Sequence, residues 1–310
     1  MKALLGRLGP LGALALVLLL FAVRNEAFAS FDNLRTVLLQ TVLVALAAIG
    51  MTFVTAIGGI DLSVGAVLAL AAVATALLRA AGWPLALAAG GGVGVGALVG
   101  ATNGALVAFG RLPPFLVTLG TLGMARGAAK WLAAERTVSA DAGWLPAWVA
   151  KFPEPAWLLL APSVWLLLAL AGLAAMVLRR SVFGRHCYAL GGNPVAAAHA
   201  GIATPRVQFA VYTLCGALVG LAGVLHFGRV RVGDPTAGAG LELQAIAAVV
   251  LGGGSLAGGA GSIQGSLLGA FGMALLANGC TLEGLPNYVQ EVLVGAIILG
   301  AVAVDRWRRR

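Results

Sequence analysis

The chain has 310 residues, 60% of them hydrophobic and only 10% charged, with a mean hydropathy of +0.98. Soluble domains carry about a quarter of their residues charged, so the composition excludes a water-soluble globule and points to an all-α polytopic membrane protein. The formal charge of +9 marks no nucleic-acid partner, because the basic residues stand at the ends of apolar runs without interleaved aromatics; it fits positive-inside topology and contact with membrane lipid.

Apolar runs bounded by charge, proline or glycine give ten candidate spans. The first five are residues 10–23, 37–57, 62–78, 84–109 and 114–134. The second five are 157–178, 207–227, 243–251, 263–277 and 288–304. The eighth is too short to cross alone unless its flanks complete it, since a spanning helix needs about 20 residues. Lys2, Arg7, the apolar run 11–23 and Ala27-Phe28-Ala29 imitate a cleaved signal peptide. An uncleaved first span is favoured, because many apolar segments follow.

Counting from a cytoplasmic N-terminus, ten spans return the C-terminus to the cytoplasm, with the tail Asp305 to Arg310. Segment 179–206, with four arginines and no acid, then also lies inside, as basic loops prefer. Loops assigned outside pair their basic residues with Glu26, Asp32, Glu135, Asp141, Glu154, Asp234, Glu242 and Glu283. The outside stretch 131–157, with Trp144 and Trp148, suits a short amphipathic connection in the headgroup region.

Within the spans, Gly92, Gly96 and Gly100 recur every four residues, which places a close-packing stripe on one helix face. Between Arg35 and Arg79 the single charge is Asp61, behind Gly58 and Gly59. The intervening residues 36–78 number 43, enough for two spans joined by a tight hairpin with its tip at 58–63. There Gly58 and Gly59 are expected to end one helix and Asp61 to cap the next by accepting backbone N–H bonds, direct contact with a solute being the alternative role for the acid. Residues 56–66 echo 250–260, with Gly58 aligned on Gly252 and Gly59 on Gly253.

No GxxxxGK[ST], HExxH or CxxC occurs, and His186, His199 and His226 are isolated. Cys187, Cys215 and Cys280 lie far apart without metal-type spacing. The chain therefore reads as no enzyme, with no catalytic residue, no metal and no nucleotide of its own. In segment 179–206, Gly191, Gly192, Asn193 and Pro194 read as a turn. Pro194 then opens a short helix over 195–200 that Gly201 ends. Such a helix is a docking element; the plainer alternative is an inter-span linker oriented by its arginines.

Four blocks in order resemble the ribose-type permeases, the membrane subunits of bacterial ABC importers for monosaccharides. GxDLSxG falls on Gly59, Asp61, Leu62, Ser63 and Gly65, and Asn103-Gly104 precedes the block 113–127. Next come Phe183-Gly184-Arg185 and Gly191-Gly192-Asn193-Pro194, then Ala196, Ala197, Gly201 and Ile202. The last block runs from Gly240 and Glu242 to Gly261 and Ser262.

The resemblance implies a single permease domain over 1–310 with the ribose/vitamin B12-type fold, in the bacterial inner membrane, with 179–206 as a cytoplasmic coupling loop. It implies that ATP and Mg are used by a separate ABC ATPase, that a second permease copy completes the pore as homodimer or paired paralogue, and that a periplasmic or lipid-anchored binding protein delivers the solute. Arg185, Gly191, Gly192, Asn193, Pro194, Ala196, Ala197 and Gly201 become candidates for coupling to the ATPase, and a charge at Ala197 is expected to unseat the helix. Val195 and Ala198 depart from the family's frequent Glu and Arg.

Polar groups within spans are the candidates for the path: Gln40, Thr52, Thr55, Asn103, Thr118, Thr121, Gln244 and Asn278. Such groups bond neighbouring helices as readily as they line a path. Arg126 and Glu291 are ionisable residues inside spans, where charge is costly and often functional. The expected function is import of ribose, xylose, another pentose or hexose, or a polyol. A nucleoside permease of the same family, a stand-alone secondary transporter and a sensor or scaffold are the alternatives.

Overall fold

The computed structural model describes residues 15 and 18–309. Lys2, Arg7 and most of the first apolar run lie outside the described residues. A short helix α1 (residues 18–24) leads to α2 (Phe31–Ala56), α3 (Val64–Ala80), α4 (Leu85–Ala108) and α5 (Pro114–Leu132). A small helix α6 (Leu145–Trp148) precedes α7 (Pro162–Arg180), α8 (Val182–Gly192), α9 (Pro194–His199) and α10 (Thr204–Val230). The chain finishes with α11 (Leu241–Leu251), α12 (Ile263–Leu282) and α13 (Asn287–Arg309). Among the described residues α2, α4, α7, α10 and α12 are long and apolar enough to cross a membrane, while α3, α11 and residues 287–300 of α13 are shorter apolar helices.

α2 begins six residues before the expected start, because Ser30 accepts the Asn33 amide at 3.1 Å as N-cap and Asp32 sits in the first turn, where the helix dipole favours an acid. α2 ends as expected at the paired glycines. Gly58 takes φ +77° and its amide bonds Thr55 O, while the Gly59 amide bonds Val54 O, both at 2.9 Å, the crossed pair of a Schellman end.

α10 is the central post, packed against α4, α2 and α3. A Cβ on Gly96 would overlap Gly216 O, and one on Gly100 would overlap Tyr212 O. The expected glycine stripe therefore sits backbone to backbone on Gly216 and Gly220 of α10. At such separations Cα–H···O contacts contribute about 0.5–1 kcal/mol each, in place of the hydrophobic burial that lipid does not reward.

The loops expected on one side of the membrane gather at one end. A two-residue ladder pairs β1 (Val138–Ser139) with β2 (Val232–Gly233), with Val138 opposite Gly233. Arg79 bonds Asp141 Oδ2 at 3.1 Å and Trp83 O at 2.6 Å, Arg24 pairs with Glu283 at 3.2 Å, and Arg35 reaches Leu159 O at 3.2 Å. α8, α9 and the turns that close two hairpins, α2–α3 after Ala56 and α11–α12 at residues 252–261, lie at the opposite end.

The eighth expected span is built in two parts. Gly233 lies against Val73 and Ala76, whereas Gly238 lies against Gly65 and Leu68, so residues 233–238 descend beside α3 over about two of its turns, roughly 12 Å. α11 then covers its 11 residues, about 16 Å more, and the two parts together match the roughly 30 Å apolar layer. Non-helical backbone at that depth needs internal partners. Arg126 supplies them, donating from Nη1 to Pro235 O at 2.8 Å and Ala237 O at 2.7 Å.

Candidate functional site

Asp61 lies inside the bundle. After Gly59 the chain folds back so that Asp61 is buried, at 2% exposed. Its Oδ1 accepts the Ser63 amide at 2.9 Å and the Ser63 hydroxyl at 2.6 Å. The expected capping is thus displaced by one step: Ser63 is the N-cap residue of α3, with no capping bond from its own side chain. Its hydroxyl is occupied by Asp61 and by Asn103 Nδ2 at 3.0 Å. Tyr212 donates to Ile60 O at 3.2 Å. Asn103 Oδ1 is buried with no partner, which leaves an acceptor inside the cluster. The motif's Gly65 admits no Cβ, because Gly238 O and Glu242 Oε2 occupy that space. Two motifs far apart in sequence therefore meet where α3 and α11 begin.

The end of the bundle at which α2 closes carries the segment expected to couple. The short helix forms as read, with Pro194 in its first turn and Asn193 Oδ1 accepting the Ala196 amide at 3.0 Å. Gly201 at φ +82° ends it. The expected turn at Gly191 and Gly192 is corrected: both belong to the last turn of α8, a helix that the sequence reading missed. A Cβ on Gly191 would collide with Ala56 O and the Gly259 amide, and these two groups bond each other at 3.0 Å. Tyr188 donates to Gly261 O at 2.7 Å. α8 thus rests on the tips of both hairpins at once. Burial pushes the Cys187 thiol on this helix up to about 12. Ala197 faces inward at 4% exposed, while Val195 is 66% exposed; the outward surface of α9 is centred on Val195, and a charge at Ala197 would disturb the chain's own packing first. Arg185 is exposed and its guanidinium donates to Arg180 O at 3.3 Å.

The internal echo is present with its alignment corrected by one residue. Gly253, at φ +84°, is the structural partner of Gly58, and the Gly254 amide bonds Val249 O at 2.8 Å as Gly59 bonds Val54 O.

Of the path candidates, Gln244 and Gln40 line a cavity. A cleft of about 520 Å³ is walled by Glu242, Leu243, Gln244, Asn287, Gln290 and Glu291. An adjoining cavity of about 210 Å³ shares Ala239 and Gln244 and adds Gln40, His226 and Arg229. Carboxylates and amides at this density can exchange hydrogen bonds with the hydroxyls of a neutral solute.

The other candidates are bonded elsewhere. Thr55, Thr118 and Thr121 donate to Thr52 O, Pro114 O and Val117 O of their own helices. Thr52 bonds Ser266, and Asn278 accepts from Asn33 Nδ2 at 2.8 Å. Glu242, Asn287 and Gln290 were missed as cavity residues; an acid at the start of a helix too short to span was the available signal.

The family described as branched-chain amino acid transport system / permease component matches residues 33–302. The chain belongs to this permease family. The permease is 38% identical over 316 residues to a ribose import permease protein of Escherichia coli (strain K12), covering 98% of this chain and 95% of that protein. It is 37% identical over 304 residues to one of Bacillus subtilis, covering 97% and 92%. It is 37% identical over 308 residues to a fructose import permease protein of Rhizobium meliloti, covering 97% and 85%. These relatives agree with the ribose-type resemblance carried by the four motif blocks. No solved structure matches the chain.

Proposed function

We propose that this permease is the transmembrane subunit of an ATP-driven ABC importer that moves a monosaccharide or similar small polar solute into a bacterial cytoplasm. It crosses the inner membrane ten times with both termini inside, the descent 233–238 and α11 together forming the eighth crossing. A second permease copy, a cytoplasmic ATPase that uses ATP and Mg, and a solute-binding protein complete the importer. The observation that carries this reading is the seat of α8 on both hairpin tips, with the α9 surface around Val195 left open to a partner. Movement of α8–α9 by the ATPase shifts both hairpins together, the rigid-element movement that alternating access requires. The solute meets the cleft of Glu242, Gln244, Asn287, Gln290 and Glu291. The relatives' names support a sugar, and the carboxylates and amides of this lining suit its hydroxyls.

The test is uptake by vesicles holding the permease with the ATPase and binding protein encoded beside it. The expected result is accumulation of labelled sugar that requires ATP, abolished by Val195→Asp while the permease still inserts. Flux through the purified permease alone without ATP would identify a secondary transporter. Uptake of nucleosides in preference to sugars would move it to the nucleoside branch.

A further inference from the structure

We propose that the cleft between the end of α7 and the start of α12 is a binding site for the anionic phosphate of a membrane phospholipid. A cavity of about 250 Å³ is lined there by Ala175, Met176, Arg179, Arg180 and Gln264. The Arg179 guanidinium donates to Gln264 Oε1 at 3.1 Å, which joins the two helices and leaves the Gln264 amide N–H groups free to donate. Arg180 ends α7, and Arg185 folds back onto its carbonyl at 3.3 Å.

Three guanidinium groups are therefore concentrated at one rim without a balancing acid. No Asp or Glu occurs between Glu154 and Asp234, and the ion pairs among the described residues use Arg24, Arg35 and Arg79 instead. The negative end of the α7 dipole favours cations in its last turn, but the dipole does not account for a cavity. α12 opens beside it, and its N-terminus adds positive potential toward an oxyanion.

The walls select the source of the phosphate. Ala175 and Met176 lie one turn below the arginines on the face of a helix long and apolar enough to span, and Met176 is 59% exposed. An acyl chain can lie along them while the headgroup meets the guanidinium groups, whereas free phosphate gains nothing from that apolar wall. Juxtamembrane arginines attract anionic lipid in this way.

The experiment is native mass spectrometry of the full chain in detergent, offered phosphatidylglycerol or phosphatidylcholine with matched acyl chains. Retention of phosphatidylglycerol is expected to exceed that of phosphatidylcholine by roughly tenfold. Arg179→Gln with Arg180→Gln should erase the preference. Gln264→Leu, which leaves the charge intact, should reduce it roughly threefold through loss of one donor, and decides the matter if the double variant does not insert. Equal retention of the two lipids, an unchanged preference in these variants, or displacement of phosphatidylglycerol by excess orthophosphate would each overturn the proposal, the last by making the site one for free phosphate.

Discussion

A methyl group at Gly96 tests the α4–α10 seam on which the bundle is assembled. The Cβ of Gly96→Ala would overlap Gly216 O and stand 2.6 Å from Gly220 Cα and 2.8 Å from Gly220 N, where ordinary contact begins near 3.4 Å. All three neighbours are backbone, so the helices must part by most of an ångström along their closest stretch. Overpacking of this kind costs about 1–3 kcal/mol, against about 1 kcal/mol that alanine returns through helix propensity. Gly94 lies on the same helix with nothing within 4 Å of its Cβ position, so Gly94→Ala keeps the propensity gain without the collision. The propensity gain cancels between them, so the two variants should differ by about 1–3 kcal/mol, or roughly 2–12 °C. The assay is the fraction of detergent-solubilised protein that remains monodisperse after heating. Equal melting of the two variants would refute the backbone-to-backbone seam.

Three further outcomes follow from the same geometry. Asp61→Asn keeps an acceptor for the Ser63 amide and should retain most transport, whereas Asp61→Leu strands buried donors and should cost about 1–3 kcal/mol in the same heating assay; complete loss of transport in a well-folded Asp61→Asn protein would assign the acid a direct part in solute movement. Gln244→Leu should lower uptake roughly tenfold through loss of hydrogen bonds worth about 1.4 kcal/mol with assembly unchanged, and undiminished uptake would remove the cleft from the path. The Cys187 thiol, pushed up to about 12 by burial, stays protonated at about pH 8, so maleimide should label it only after denaturation; rapid labelling of the native chain would show that α8 lifts from its seat.

What could be read in advance depended on whether the chemistry was local. The ends of α9 were legible because Asn193, Pro194 and Gly201 carry their capping chemistry within a few residues, and the Gly92, Gly96, Gly100 stripe because its period is that of a helix face. α8 was not, since Gly191 and Gly192 read as a turn. In the fold Gly191 clears Ala56 O and the Gly259 amide, a requirement set by distant segments. The partners of Arg126 are main-chain carbonyls of residues 235 and 237, which no side-chain pattern announces. Most threonines proposed for the path satisfy their hydroxyls on their own helix, and the sequence alone gave no means of separating them from Gln244, which reaches a cavity.

The seat of Gly191 has a mechanical consequence. Where a leucine or methionine fills a joint, rotamer changes absorb small displacements, as a rubber bushing does. At Gly191 the joint between α8 and the two hairpins is main chain on main chain, with the Ala56–Gly259 hydrogen bond clamped beneath it and Tyr188 tied to Gly261 O beside it. A linkage of this kind has no play: α8 either carries both hairpins with it or breaks contact with them. Any displacement imposed on α8 would therefore reach both hairpins at the same moment.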